Sequence, residues 1–153
     1  MSERHVAETR LSRPVPRDPR QSARLPHWGQ IVAVGLGGAI GAPLRYQLGV
    51  WFPVHPGRFP LTTLFENVSG AFVLGVLLTL IIERIRPARY LRAFVCTGVL
   101  GAYTTFSTFA VEITTLTKDG HAATAVAYVL ASLGLGLVAA VAGVACARLG
   151  RQR

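Results

Sequence analysis

The sequence predicts an all-α integral membrane protein with four spanning helices. Three observations predict it. Only 15% of the 153 residues are charged and 51% are hydrophobic, against roughly 25% charged in ordinary soluble domains. Four apolar stretches, about 29–50, 61–82, 91–116 and 121–147, each reach the ~20 residues that a helix needs to cross the hydrocarbon core. The basic residues gather at the ends of these stretches, as flanks of membrane spans do.

Residues 1–27 differ from everything after them. They carry Arg4, Arg10, Arg13, Arg17, Arg20 and Arg24 with Pro14, Pro16, Pro19 and Pro26, and almost no aliphatic run. Such a segment buries too little apolar surface to offset the entropy of ordering, so a disordered basic cytoplasmic tail is expected. It does not read as a signal peptide: the apolar stretch behind it is too long for an h-region, and no A-x-A cleavage pattern follows. Residues 28–153 then form one four-helix membrane domain.

The connectors between spans are short. Residues 51–60 hold three prolines, 83–90 three arginines, and 117–120 only four residues. No room remains for a soluble domain. Small residues four apart recur on the spans: Gly37 and Gly41, Ala71 and Gly75, Gly136 and Ala140. That spacing lets helix backbones approach closely in lipid. Cys96 and Cys146 lie far apart in apolar stretches without a CxxC, which supports neither a disulfide framework nor a zinc site.

The net charge is +9, from 16 Lys+Arg against 7 Asp+Glu. No aromatic-plus-basic stripe for base stacking accompanies it, so nucleic acid is not expected as a partner. With the N-terminus in the cytoplasm, the inside would hold the six tail arginines, Arg84, Arg86, Arg89 and Arg92, and Arg148, Arg151 and Arg153. The outside would hold only Arg45, Arg58 and Lys118. This bias predicts that both termini are cytoplasmic and that the chain is a multi-pass protein of the cell membrane.

Polar groups within a span are costly and are read first as functional. The third span is the densest. Gly98, Gly101 and Thr104 recur every three residues, followed by Thr105, Ser107 and Thr108. Glycine and β-branched threonine weaken a helix locally. A break would free carbonyls at the negative end of a half-helix, and such ends coordinate cations in broken membrane helices. By spacing alone, a merely flexible or tightly packed Gly/Thr helix is the better reading. Phe106 and Phe109 share a face, and the positive edges of their rings could face a small anion, although packing against lipid or core is the ordinary reading of an isolated pair. Asn67 offers two uncharged N–H donors in mid-membrane, for an anion or for another helix. Tyr128 and Ser132, four apart with Gly136 next along, define one polar stripe on the fourth span.

These residues together resemble the Fluc/CrcB fluoride channels. The resemblance runs from about residue 35 to 143. It rests on Gly37-Gly38-Ala-Ile-Gly41 with Arg45-Tyr46, on Asn67-x-x-Gly70 with Phe72-x-x-Gly75, and on Gly98-x-x-Gly101-x-x-Thr104-Thr-Phe-Ser-Thr-Phe109-x-x-Glu112. It implies an antiparallel dimer of four-helix subunits with a break in the third helix. It implies a structural Na⁺ at the dimer centre, held by carbonyls of residues matching Gly101 and Thr104. Two fluoride pores per dimer would be lined by residues matching Asn67, Phe106, Phe109, Thr108, Tyr128 and Ser132. Arg45 matches a basic residue near a pore entrance and Glu112 a carboxylate on the third helix. The implied activity is passive export of cytoplasmic fluoride, a channel function and not an enzymatic one.

Glu66 departs from that pattern, standing before Asn67 where the family has an apolar residue. Adjacent helix positions point about 100° apart, so Glu66 is expected to face a neighbouring helix or an outer vestibule. Two other readings compete. A small four-helix proton-coupled antiporter needs a carboxylate in its first span, and residues 29–50 contain none. A non-transporting membrane protein with a tail for anionic lipid leaves the third-span block without a purpose. The charge bias bears on assembly as well. A homodimer of antiparallel copies needs either orientation to insert, so the bias predicts pairing with an oppositely oriented paralogue.

Overall fold

A computed structural model of the chain describes residues 28–84 and 89–150. The N-terminal tail, Arg86, Arg151 and Arg153 lie outside the described residues.

Four stretches are helical, long and apolar enough to cross a membrane: Trp28–Trp51, Leu61–Ile81, Arg89–Lys118 and Ala122–Leu149. They match the four predicted stretches to within a few residues at each end. In elements, the chain runs α1 (Trp28–Trp51), α2 (Leu61–Arg84), α3 (Arg89–Arg92), a π-helix (Ala93–Leu100), α4 (Gly101–Tyr103), α5 (Ser107–Lys118) and α6 (Ala122–Leu149). The third span is therefore the composite one. An α-helix opens to π winding and returns to α winding at Gly101. Regular winding lapses at Thr104–Phe106 and resumes at Ser107.

Two tight seams hold these elements. In the first, α1 packs along the π-helix and α4. A Cβ added at Gly98 would stand 2.7 Å from the Val34 carbonyl oxygen and 2.9 Å from Gly37 Cα. Only hydrogen fits between those backbones. In the second seam, α2 packs along α6. There a Cβ at Gly75 would stand 2.5 Å from the Ala140 carbonyl oxygen. Close backbone approach through small residues is the route to helix association in lipid, where apolar side chains gain nothing by leaving the tails.

The turn between α5 and α6 joins the third span to the second seam. Gly120, at φ +82°, sits just past the end of α5. The His121 N–H bonds the Leu116 carbonyl at 2.8 Å and the Gly120 N–H bonds the Thr117 carbonyl at 3.3 Å. That pair of bonds is a Schellman termination, and its left-handed residue favours glycine. The reversal drops Leu116, Ala125 and Tyr128 into one buried cluster, with Phe59, Leu64, Phe109 and Ile113 against it.

Much of the remaining apolar surface faces outward. Leu130, Leu133, Leu137 and Val141 on α6 are each more than 60% exposed. Phe106 is 80% exposed.

The Gly98 contact gives a prediction. Gly98→Val forces a side chain against two backbones that cannot swing aside, a strain of about 1–3 kcal/mol. The variant is expected to lose monodisperse elution in detergent, or to unfold at lower temperature, whereas Gly35→Ala, at a position open to space, leaves both unchanged.

Candidate functional site

The interruption of the third span is the place to begin, because every peptide group at membrane depth needs a partner. The Thr104 N–H and hydroxyl both donate to the Leu100 carbonyl, at 2.9 and 3.0 Å, which closes the last helical turn. Thr104 itself is extended, at φ −79° and ψ 157°. The next amide, that of Thr105, would reach back to Gly101 in a continuous helix. It donates instead to Asn67 Oδ1 at 2.8 Å, and Asn67 Nδ2 donates to the Thr105 carbonyl at 3.0 Å. The side-chain amide of Asn67 thus replaces one missing peptide partner on each side. The two bonds also fix which end of the amide is oxygen, since reversal would set donor against donor.

The restart of the helix is handled by Thr105. Its Oγ1 accepts the Thr108 N–H at 3.1 Å and lies 3.0 Å from Thr108 Oγ1. A hydroxyl capping an amide three residues on is the usual way a threonine starts a helix. In a continuous helix the Thr108 N–H would bond the Thr104 carbonyl. The two diversions therefore strip the helical donor from two carbonyls, those of Gly101 and Thr104.

Two hollows flank this region. The first, of about 270 Å³, is lined by Asn67, Thr104, Thr105, Phe106, Phe109, Ser132 and Leu133. Its aromatic wall is a ladder: Phe106 and Phe109 lie 6.0 Å apart by ring centroid, and Phe109 lies 5.0 Å from Tyr128. The Ser132 hydroxyl oxygen is buried and has no partner in the chain. The second hollow, of about 370 Å³, is lined among others by Arg45, Thr63, Glu66, Thr108 and Glu112, and reaches Phe52 and Val54 in the first loop.

Of the sequence-predicted residues, Asn67, Phe106, Phe109, Ser132 and Thr104 come together at the aromatic hollow. Thr108, Arg45 and Glu112 line the other one. Tyr128 lines neither. It is fully buried behind Phe109, and its hydroxyl donates to Glu112 Oε2 at 2.7 Å, while Thr63 donates to Oε1 at 2.8 Å. Tyr128 and Ser132 thus share a helix face without sharing a cavity in the single chain. Gly101 lies on the exposed surface of the chain, its carbonyl at the end of the interrupted span.

The family model for CrcB-like protein, Camphor Resistance (CrcB), matches residues 32–144. The chain belongs to the CrcB family. It is 46% identical over 125 residues to "Fluoride-specific ion channel FluC 3" of Streptomyces avermitilis, covering 82% of this chain and 61% of that protein. This CrcB chain thus spans about three fifths of the length of that relative. It is 43% identical over 119 residues to "Fluoride-specific ion channel FluC" of Rhizobium meliloti, covering 77% of this chain and 95% of that one. It is 41% identical over 118 residues to "Fluoride-specific ion channel FluC 2" of Nocardia farcinica, covering 77% and 84%.

Sequence reasoning missed two members of this CrcB site, Thr63 and Phe59, and read Thr105 only as part of the polar run of the third span. Thr105 bonds the Asn67 amide through its backbone and caps the restarted helix. Thr63 holds Glu112, and Phe59 closes the ladder edge-on against Tyr128 at 5.4 Å. Only Thr105 had a local signal, the hydroxyl-to-amide spacing of Thr105 and Thr108.

The amide pair is testable on its own. Asn67→Ala leaves the Thr105 N–H and carbonyl without partners away from water, a loss of about 1–3 kcal/mol for each orphaned group. Hydrogen exchange at Thr105 is expected to speed by at least about tenfold, whereas exchange at Ala125 in α6 keeps its wild-type rate.

Proposed function

We propose that this chain is a subunit of a fluoride-selective channel that lets cytoplasmic fluoride leave the cell passively and so limits its toxicity. The single observation that carries the reading is the aromatic hollow. Neutral donors, the Asn67 amide and the Ser132 hydroxyl, line it together with the rings of Phe106 and Phe109. Fluoride is strongly hydrated, so a path that passes it must replace water with close donors and yet release the ion. Uncharged donors and ring edges meet both demands. The CrcB membership and the relatives named as fluoride-specific channels support the same reading.

Passive export needs no pump. Hydrogen fluoride crosses lipid uncharged and ionises in a less acidic cytoplasm. An inside-negative potential then drives the anion outward with about 2.3 kcal/mol per 100 mV.

The interruption at Thr104–Phe106 is read as the break of this family's third helix. The Gly101 and Thr104 carbonyls, relieved of helical donors, fit a backbone-oxygen cation site, and Na⁺ is the cation proposed. Bound there, it supplies positive charge that ties two interrupted spans together without acidic side chains. Gly101 on the exposed surface of one chain suits a site completed by a second chain across a twofold axis in the membrane plane. The proposed assembly is an antiparallel dimer. The basic bias toward one face favours an oppositely inserted paralogue as the second subunit.

Fluoride efflux from liposomes tests the function, with the chain reconstituted alone and together with a second family subunit. Efflux above that of empty vesicles is expected in at least one preparation, and Phe106→Ile and Asn67→Ala are expected to lower it at least about tenfold, about 1.4 kcal/mol of barrier. Efflux no faster than in empty vesicles in every preparation refutes the function. The cation has its own readout. Replacing Na⁺ by N-methyl-D-glucamine is expected to lower the thermal unfolding temperature of the dimer, by the equivalent of about 2.7 kcal/mol when Na⁺ stood at a hundred times its Kd. An unchanged Tm contradicts the cation site.

A further inference from the structure

Adjacent residues of α2 serve different hollows. Asn67 turns to the aromatic one and holds the interruption. Glu66, one position earlier, lines the other with Arg45 and Glu112. The two carboxylates on this cleft are in different circumstances. Glu112 accepts hydroxyl hydrogen bonds at both oxygens. Glu66 is 3% exposed, and among the described residues its carboxylate accepts no hydrogen bond.

The charges across the cleft decide what passes. Arg45, from α1, is the one basic residue lining it among the described residues, and Tyr46 and Thr63 add uncharged hydroxyl groups. Arg45 against Glu112 alone would leave the cleft electrically balanced. Ionised Glu66 tips it to net negative. The cleft reaches the first loop at one end and Thr108 at the other, next to Phe109 of the aromatic hollow. The two hollows share no lining residue; they are neighbours through the sequence-adjacent pairs Glu66 and Asn67, and Thr108 and Phe109.

We propose that Glu66 sets the anion throughput of this subunit, its ionised form opposing fluoride near the Arg45 cleft and holding conduction below what the aromatic hollow would allow. This rests on the channel reading above and adds a throughput-determining residue to it. The effect is electrostatic and acts over several ångströms in a medium of low effective dielectric, where one charge changes an ion's passage by about tenfold. Because the cleft opens to water, dissolved salt screens the effect.

The test compares the wild type with Glu66→Gln, which keeps the shape and removes the charge, and Glu66→Asp, which keeps the charge and alters the shape. Each is purified to a single symmetric elution peak and reconstituted in the preparation that conducts. Fluoride efflux is measured at low and high ionic strength set by an impermeant salt. Glu66→Gln is expected to conduct about tenfold faster than wild type at low salt, and Glu66→Asp about as the wild type does. Added salt is expected to speed the wild type and to leave Glu66→Gln unchanged. Equal rates in wild type and Glu66→Gln, while Asn67→Ala still abolishes efflux, overturn the proposal and leave the channel reading standing. Equal changes in both variants overturn it too, since shape rather than charge would then govern. Absence of fluoride efflux in every preparation removes the channel reading and this proposal together.

Discussion

One pair of hydrogen bonds carries much of this structure: the Asn67 side-chain amide against the backbone of Thr105, at 2.8 and 3.0 Å. Within a bilayer no water is at hand to satisfy a peptide group, so helical winding cannot lapse unless something replaces it. Asn67 does so with a donor and an acceptor in one rigid plane, which is what one peptide group would have offered. Thr105 Oγ1 completes the replacement at the start of α5. Their combined result is to free the Gly101 and Thr104 carbonyls while the Thr105 and Thr108 amide hydrogens keep partners.

The tight seams make that substitution possible. Asn67 reaches Thr105 only because α2 lies close to the third span at Gly70, where a Cβ would collide with the Thr104 side chain. The third span is in turn fixed from the other side by α1, through the Gly37 and Gly98 backbones. Glycines that read in the sequence as mere packing devices therefore set the geometry of the polar site. The same placement separates the functions of neighbouring side chains. A step of one residue along α2 turns from the aromatic hollow to the charged cleft, and the step from Thr108 to Phe109 on α5 does likewise.

The four spans were legible because their signal is cumulative: twenty apolar residues in a row are hard to mistake. The gathering of Asn67, Phe106, Phe109 and Ser132 was legible through a motif. The partition of the other residues was not. Tyr128 and Ser132 share a helix face in sequence, yet Phe59 and Phe109 pack on the tyrosine and Glu112 takes its hydroxyl, which removes it from the cavity. Those contacts are long-range and leave no periodicity to read. The π winding of Ala93–Leu100 was equally silent, since it runs along a seam whose shape depends on a different helix. Glu66 stood out in sequence as a departure, and its surroundings gave the departure a physical meaning.

Two diversions together, the Asn67–Thr105 pairing and the Thr105 hydroxyl on the Thr108 amide, take the Gly101 and Thr104 carbonyls out of helical hydrogen bonding, and the proposed Na⁺ would bind at those oxygens. Isotope-edited infrared spectroscopy of the assembled protein, with ¹³C=¹⁸O placed at each residue in turn, reads this directly. Labelled bands displaced from the helical position, which shift again when Na⁺ is replaced by N-methyl-D-glucamine, are expected. Labelled bands at the helical position, indifferent to the cation, would contradict this.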